Sequence, residues 1–223
     1  PLLREAMRQT GCTTIEGILC THRHYDHIGG IKSLYAEFGI LPTYKCMREG
    51  GRWDSYRYNA HVPKDIQWLP IRHGQVFKTE GATLEAVYTP GHSEDHMCFL
   101  LVEDSALFSG DNVLGCGTSW FEDLGDYLSS LRLMRGLCMK PEDDGSLIET
   151  REPTTCVQCD DDKGRPGSIA KVLYVGHGPR VFGASTKIDE YIAHRQTRED
   201  QILAVLARSK RMTSLQITRF HPL

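Results

Sequence analysis

The sequence predicts a single α/β domain, and three observations lead there. Short apolar runs at 15–20, 84–88, 106–109 and 172–175 read as buried strands. Segments at 31–38, 127–139 and 187–206 space their apolar residues as helices do. Each of the four strand runs opens into histidine or aspartate near glycine, as loops at strand ends do in such domains. A chain of 223 residues with 40% apolar content can bury one good core without a second domain.

In chain order, Pro1-Leu2-Leu3-Arg4-Glu5 reads as a helix already under way, not a signal peptide; it runs to residue 9 and stops near Gly11. The strand at 15–20 feeds Thr21-His22-Arg23-His24-Tyr25-Asp26-His27, and the helix at 31–38 ends at Gly39. A short strand is expected at 42–46. Residues 50–63 read as irregular, their aromatic and basic side chains packing over the core or, alternatively, lining a substrate groove. Residues 66–69, 75–77 and 84–88 have β character, with Gly74 and Gly81 between them. Pro90 ends the last strand, and Gly91 lets the backbone turn His92 inward. A hairpin at 98–102 and 106–109 then leads to Gly110-Asp111, and the strand at 172–175 to Gly176-His177-Gly178. Residues 1–207 form the expected catalytic domain, interrupted by an acidic insertion at 141–168; residues 208–223 are a remnant tail.

Charge and cysteines narrow the class. The net charge is -3, but residues 141–168 carry eight acids against three bases, leaving +2 elsewhere. A polyanionic substrate is therefore compatible with the balance. No run approaches the ~20 apolar residues that span a bilayer, so no membrane partner is expected. The eight cysteines are read as reduced thiols, and Cys156-Val-Gln-Cys159 as a chance loop pair.

The chemistry concentrates at residues 22–27, where three histidines and an aspartate occupy six positions. Imidazole nitrogen and carboxylate oxygen suit Zn2+, with Mn2+ or Fe2+ as competitors. His22 and His24, two apart in an extended loop, can face one ion; Asp26 and His27, adjacent across the bend, can serve a second. His92, Asp111 and His177 each have an ordinary explanation alone, as turn formers, a cap or a tolerated strained position. Four such strand ends in one chain favour a shared site.

With these residues in view, the sequence resembles the metallo-β-lactamase superfamily, whose signature is His-x-His-x-Asp-His. The resemblance implies an αββα sandwich with two Zn2+ ions at a sheet edge. His22, His24 and His92 would hold one ion and Asp26, His27 and His177 the other, with Asp111 bridging. His96 matches the second histidine of a Gly-His-x-x-x-His pattern and is expected to orient a ligand or to pack. Asp26 and Asp111 are the implied catalytic carboxylates, serving a water that two ions acidify for attack on a carbonyl or phosphoryl centre. No organic cofactor is implied.

Segments such as Phe121-Glu122-Asp123-Leu124-Gly125-Asp126-Tyr127 and Tyr191-Ile192-Ala193-His194-Arg195 are similar to the β-lactamase-like protein 2 family. That likeness covers about residues 2–207 outside the insertion. Animal members are mitochondrial-matrix endoribonucleases, and fungal relatives include thioesterases that release polyketide acids from an acyl carrier protein. The resemblance implies an intracellular endoribonuclease on single-stranded RNA, in the mitochondrial matrix or cytoplasm. Arg23 and Arg180 near strand ends suit that reading. An acyl thioesterase on carrier-protein or CoA thioesters is the alternative, and an inactive truncated form or binding protein the third. Family members also begin with further strands, one ending in an Asp-Thr-Gly turn, and carry a winged-helix-like domain that would begin near Met212. The expected sandwich is therefore N-terminally incomplete, with one sheet lying open. Arg23 replaces a common Trp, and Val175 a common Pro; neither removes a ligand.

Overall fold

The computed structural model describes residues 2–47, 65–139, 170–208 and 211–220. The aromatic loop at 50–63, the insertion at 141–168 and Cys156 and Cys159 lie outside the described residues. Helix α1 (Leu2–Thr10) precedes strand β1 (Ile18–Leu19) and helices α2 (Tyr25–Ile28) and α3 (Ile31–Phe38). Strands β2 (Thr43–Lys45), β3 (Trp68–Pro70), β4 (Val76–Thr79), β5 (Ala82–Tyr88), β6 (Met97–Leu101) and β7 (Ala106–Gly110) follow. Helix α4 (Leu124–Leu137), strands β8 (Val172–Val175) and β9 (Val181–Phe182), and helices α5 (Ala184–Arg208) and α6 (Ser214–Phe220) complete the order.

Two sheets form. The smaller is parallel, in the order β1-β2-β3; the larger runs β4-β5-β6-β7-β8-β9. Within the larger, β7 and β8 are parallel and the remaining neighbours antiparallel.

Alternation along each strand gives the larger sheet two apolar faces. Cross-strand partners share a face, so Val87 and Cys98, then Leu100, Leu107, Leu173 and Val181, line one side. That side packs on Tyr127, Leu131 and Met134 of α4 and on Ala184, Ile188 and Tyr191 of α5. Ala86, Tyr88, Met97 and Phe99 line the other side and pack against Leu19, Tyr44, Cys46 and Ile71 of the smaller sheet. Beyond that sheet, Cys20, Ile66 and Trp68 pack with Ile28 of α2 and Ile31 of α3. The layer order is α2/α3, small sheet, large sheet, α4/α5: the expected αββα sandwich.

The small sheet covers the large one unevenly. Phe108 and Tyr174 continue the row begun by Ala86 and Phe99, their rings 5.1 Å apart, yet Phe108 is 37% exposed and Phe182 on β9 is 68% exposed. The strand expected at 15–20 is shorter than predicted, because β1 is an edge strand with only β2 to pair with. Helix α4 starts earlier than its apolar stripe, at Leu124, because the Asp123 carboxylate accepts from the Asp126 N–H at 3.0 Å. Cys12, Cys20, Cys46, Cys98, Cys116 and Cys138 are free thiols, and burial pushes Cys98 up to about 12. No helix among the described residues is long and apolar enough to cross a membrane.

The two faces should differ in energetic weight. Leu107→Ala, at a site with 0% exposure on the helix-covered side, is expected to cost about 2–5 kcal/mol in urea unfolding. Phe108→Ala, on the half-open side, should cost less.

Candidate metal centre

The chain runs extended into the 22–27 segment, with His24 at φ -62° and ψ 145°. Alternation along this stretch sends His22 and His24 one way and Arg23 the other. Helix α2 then starts, its first turn closed by the His27 and Ile28 N–H groups donating to the His24 carbonyl. Ile28 is fully buried and anchors that turn.

The remaining site residues come from the larger sheet. Gly91 sits at φ +127°, and a Cβ there would lie 2.3 Å from Tyr127 backbone atoms; only glycine turns His92 inward here. Ser130 of α4 donates to the Pro90 carbonyl at 2.6 Å, and Tyr127 Oη to the Asn112 carbonyl at 2.6 Å. The helix thus braces the turns bearing His92 and Asp111. Parallel pairing makes β7 and β8 end at one edge, and the Gly176 N–H donates to the Gly110 carbonyl at 2.9 Å. Asp111 and His177 therefore emerge side by side.

All seven sequence-predicted residues converge, in two groups that share Asp111. In the first, His24 Nδ1 lies 2.9 Å from His22 Nε2 and 3.0 Å from His92 Nε2. Asp111 Oδ2 is 3.9 Å from His22 Nε2 and 3.6 Å from His92 Nε2. In the second, His177 Nε2 is 3.0 Å from Asp26 Oδ2, and His27 Nε2 is 3.5 Å from the same oxygen. Asp111 Oδ2 lies 3.5 Å from His177 Nε2, while its Oδ1 faces His27 Nε2 at 3.3 Å. One carboxylate thus reaches both groups.

Hydrogen bonds orient the rings. His92 Nδ1 donates to the Trp120 carbonyl at 2.8 Å, which leaves Nε2 bare in the neutral ring. His22 Nδ1 meets Thr21 Oγ1 at 3.0 Å. His96 does not join either group. Its Nε2 accepts the Asp111 N–H at 3.1 Å and its Nδ1 pairs with Thr89 Oγ1 at 3.0 Å, so it is an orienting residue. Burial and the nearby His92 push its pKa down to about 3, which keeps Nε2 an acceptor at neutral pH.

Burial also lowers the pKa of His22, His24 and His92. Burial would raise that of Asp111, but His27, His92 and His177 outweigh it and hold the carboxyl below its ordinary range. Burial disfavours the charged form of His27 too, but the Asp111 and Asp26 carboxylates outweigh it and raise its pKa. Imidazole nitrogens around an ionised carboxylate are the donor set that divalent zinc, iron or manganese accepts. Two further observations fit an ion. Buried His27 Nε2 and Asp111 Oδ1 have no aligned hydrogen-bond partner. A Cβ on Gly176 would fall 2.1 Å from Asp111 Oδ1 and 2.9 Å from His27 Cε1, so glycine keeps that space open. His22, His24, His92 and Asp111 would hold one ion, and Asp26, His27, His177 and Asp111 a second.

One group of residues near the site lay hidden from sequence reasoning. Arg23 was expected near the substrate, but it is buried, with its guanidinium on Asp95 Oδ1 at 3.3 Å and on Glu122 Oε1 at 2.5 Å. Lys45 Nζ donates to Asp95 Oδ2 at 2.8 Å, and Ser93 Oγ to Oδ1 at 2.9 Å. The correction follows from alternation: a residue between two inward-facing histidines must face the opposite side, and here that side is protein. A charged residue at that position was the available signal.

An αββα sandwich carrying two such His/Asp groups at a sheet edge defines a class of metal-dependent hydrolases. The model of the family described as the metallo-beta-lactamase superfamily matches residues 11–144, and the chain belongs to that superfamily. It is 40% identical over 194 residues to "Thioesterase pkgB" of Emericella nidulans, covering 87% of this chain and 43% of that protein. It is 39% identical over 201 residues to "Lactamase-like protein adaB" of Aspergillus niger, covering 90% of this chain and 49% of that protein. The chain thus spans less than half the length of these relatives. Their names are thioesterase and lactamase-like, not the endoribonuclease that the sequence resemblance implied.

Solved structures agree in fold. A beta-lactamase domain protein from Burkholderia ambifaria superposes with a TM-score of 0.67 at 19% identity, covering 97% of this chain and 67% of that one. A metallo-beta-lactamase family protein from Thermus thermophilus gives 0.61 at 22% identity, covering 92% and 69%.

Two outcomes are expected. Asp111→Ala removes the shared carboxylate, so elemental analysis should find the loss of both ions; a variant retaining two would end the bridging assignment. The second concerns acid. Burial alone would raise the pKa of Asp95, but Lys45, Arg23 and Ser93 outweigh it and hold it below the ordinary range. Its stabilisation is present above the unfolded pKa of about 3.9 and is lost as pH falls through the lower folded value. The melting temperature of Asp95→Asn should therefore decline less steeply below pH 4 than that of the parent.

Proposed function

We propose that this chain hydrolyses acyl thioesters in a metal-dependent reaction. The observation that carries the reading is the 40% identity, across 87% of the chain, to a protein named as a thioesterase. The converging His/Asp groups supply the chemistry such a reaction needs. Two ions held there would polarise the thioester carbonyl and acidify a water at neutral pH.

The chain's own residues divide the remaining work. His92 is fixed by the Trp120 carbonyl, which leaves its Nε2 bare, and the His22 ring is held in one orientation by Thr21. His96 holds the Asp111 main chain, and so sets where the shared carboxylate stands. The Asp26 side chain is 55% exposed and lies on the open side of the site, where its carboxylate can accept a proton from an incoming water. Trp120, whose ring stands perpendicular to that of His92 at 6.3 Å, is 61% exposed; Tyr25, beside Asp26, is 66% exposed. These faces suit an apolar acyl group.

The nuclease alternative loses support at Arg23, which is bound to buried carboxylates and faces away from the site. Arg180 lies over the Phe182 ring at 4.9 Å.

The test pairs the purified protein with an acyl-CoA thioester and with labelled single-stranded RNA, each with and without chelator. Thiol release that chelator abolishes is expected, with the RNA left intact. Asp26→Asn should lower kcat by about 10²-fold or more. Cleavage of RNA with the thioester untouched would overturn the reading.

A further inference from the structure

The buried charges around Asp95 form one connected group. Arg23 reaches Asp95 and Glu122, Lys45 reaches Asp95, and the Glu122 carboxylate also accepts the Glu94 N–H at 3.2 Å. The four side chains are only 7% (Arg23), 7% (Asp95), 5% (Glu122) and 10% (Lys45) exposed. Two positive and two negative charges leave the group neutral.

What they join is specific. Arg23 stands between His22 and His24. Asp95 belongs to the turn that starts at His92, Lys45 to the end of β2, and Glu122 to the loop whose Trp120 carbonyl orients His92. That loop is tied again by the Glu122 N–H donating to the Gly91 carbonyl at 2.7 Å, and by Arg195 of α5, which donates to the Ser119 carbonyl. The guanidinium is therefore a side-chain link between the segment bearing two of the first group's histidines and the two segments that carry and orient the third. An apolar group could fill this volume, but it could not bond the two carboxylates; the rigid guanidinium offers each a separate N–H in a fixed geometry.

We propose that Arg23 is a positioning residue for the three-histidine site: by holding Asp95 and Glu122 it fixes His22 and His24 against His92, and so sets the affinity for the ion bound there. The second group is anchored differently, by Ile28 under α2 and by the pairing of β7 with β8. It should be less affected. The inference concerns metal binding alone and stands whichever substrate is turned over.

Removing Arg23 by itself strands buried carboxylates and can unfold the protein. The informative variant is therefore Arg23→Met with Glu122→Gln, which keeps the group neutral around Lys45 and Asp95. A second, Arg23→Lys, keeps the charge but replaces the fork with a single ammonium. Each metal-free protein is titrated with Zn2+ against a chromophoric chelator, then loaded with Co2+ and its visible spectrum recorded. The double variant should melt near the parent temperature yet bind its first Zn2+ at least ten-fold more weakly, with an altered Co2+ band. Arg23→Lys should fall between the two, and it decides the question if the double variant does not fold. Parent affinity and an unchanged Co2+ spectrum in either folded variant would overturn the proposal, reducing Arg23 to interior packing.

Discussion

Bare imidazole nitrogens repel one another, and this metal centre requires three of them within about 3 Å. That constraint explains much of the surrounding structure. Two of the rings are held from outside the cluster: His92 by a backbone carbonyl, which leaves its converging nitrogen free, and His22 by a contact to Thr21. Burial holds the rings neutral, which removes ionic repulsion and leaves lone pairs whose natural complement is a cation. The Asp111 carboxylate, facing ring nitrogens of both groups, concentrates negative charge where two ions would share it.

The same constraint accounts for the placement of the centre between layers. The 22–27 segment leaves the small sheet, whereas His92, Asp111 and His177 leave the large one. Their packing against one another rests on a modest apolar contact, from Tyr44, Cys46 and Ile71 to Ala86, Met97 and Phe99. Apolar packing is non-directional and does not by itself define where one sheet end sits relative to the other to within an ångström. Directional contacts supply that precision: the Met97 N–H donates to the Thr21 carbonyl at 2.7 Å, and the Arg23, Lys45, Asp95 and Glu122 charges cross the same gap. An ion bound by residues of both sheets would act in the same sense, coupling metal content to the stability of the layer contact.

The surroundings of the centre are mixed in character. The Asp26 and His177 side chains are half-exposed, and the exposed aromatics Tyr25 and Trp120 stand next to Asp26 in sequence and beside His92 in space. Arg23, the basic residue within the ligand motif, turns its charge inward.

The ligand set was legible in the sequence because metal binding demands particular side chains at short, local spacings, and because strand ends announce themselves through apolar runs closed by glycine. His22, His24, Asp26 and His27 could be read from six consecutive positions, and His92, Asp111 and His177 from the ends of three strands. The helices at 31–38 and 187–206 were legible for the same local reason. Tertiary structure alone decided what Arg23 meets on its side, that Lys45 and Glu122 join the Asp95 group, and that Trp120 orients His92 through its backbone. These pairings join residues 50 or 99 positions apart, or use a carbonyl that every residue possesses, so no local pattern records them. The short reach of β1 was settled likewise, since an edge strand extends only as far as its single neighbour pairs with it.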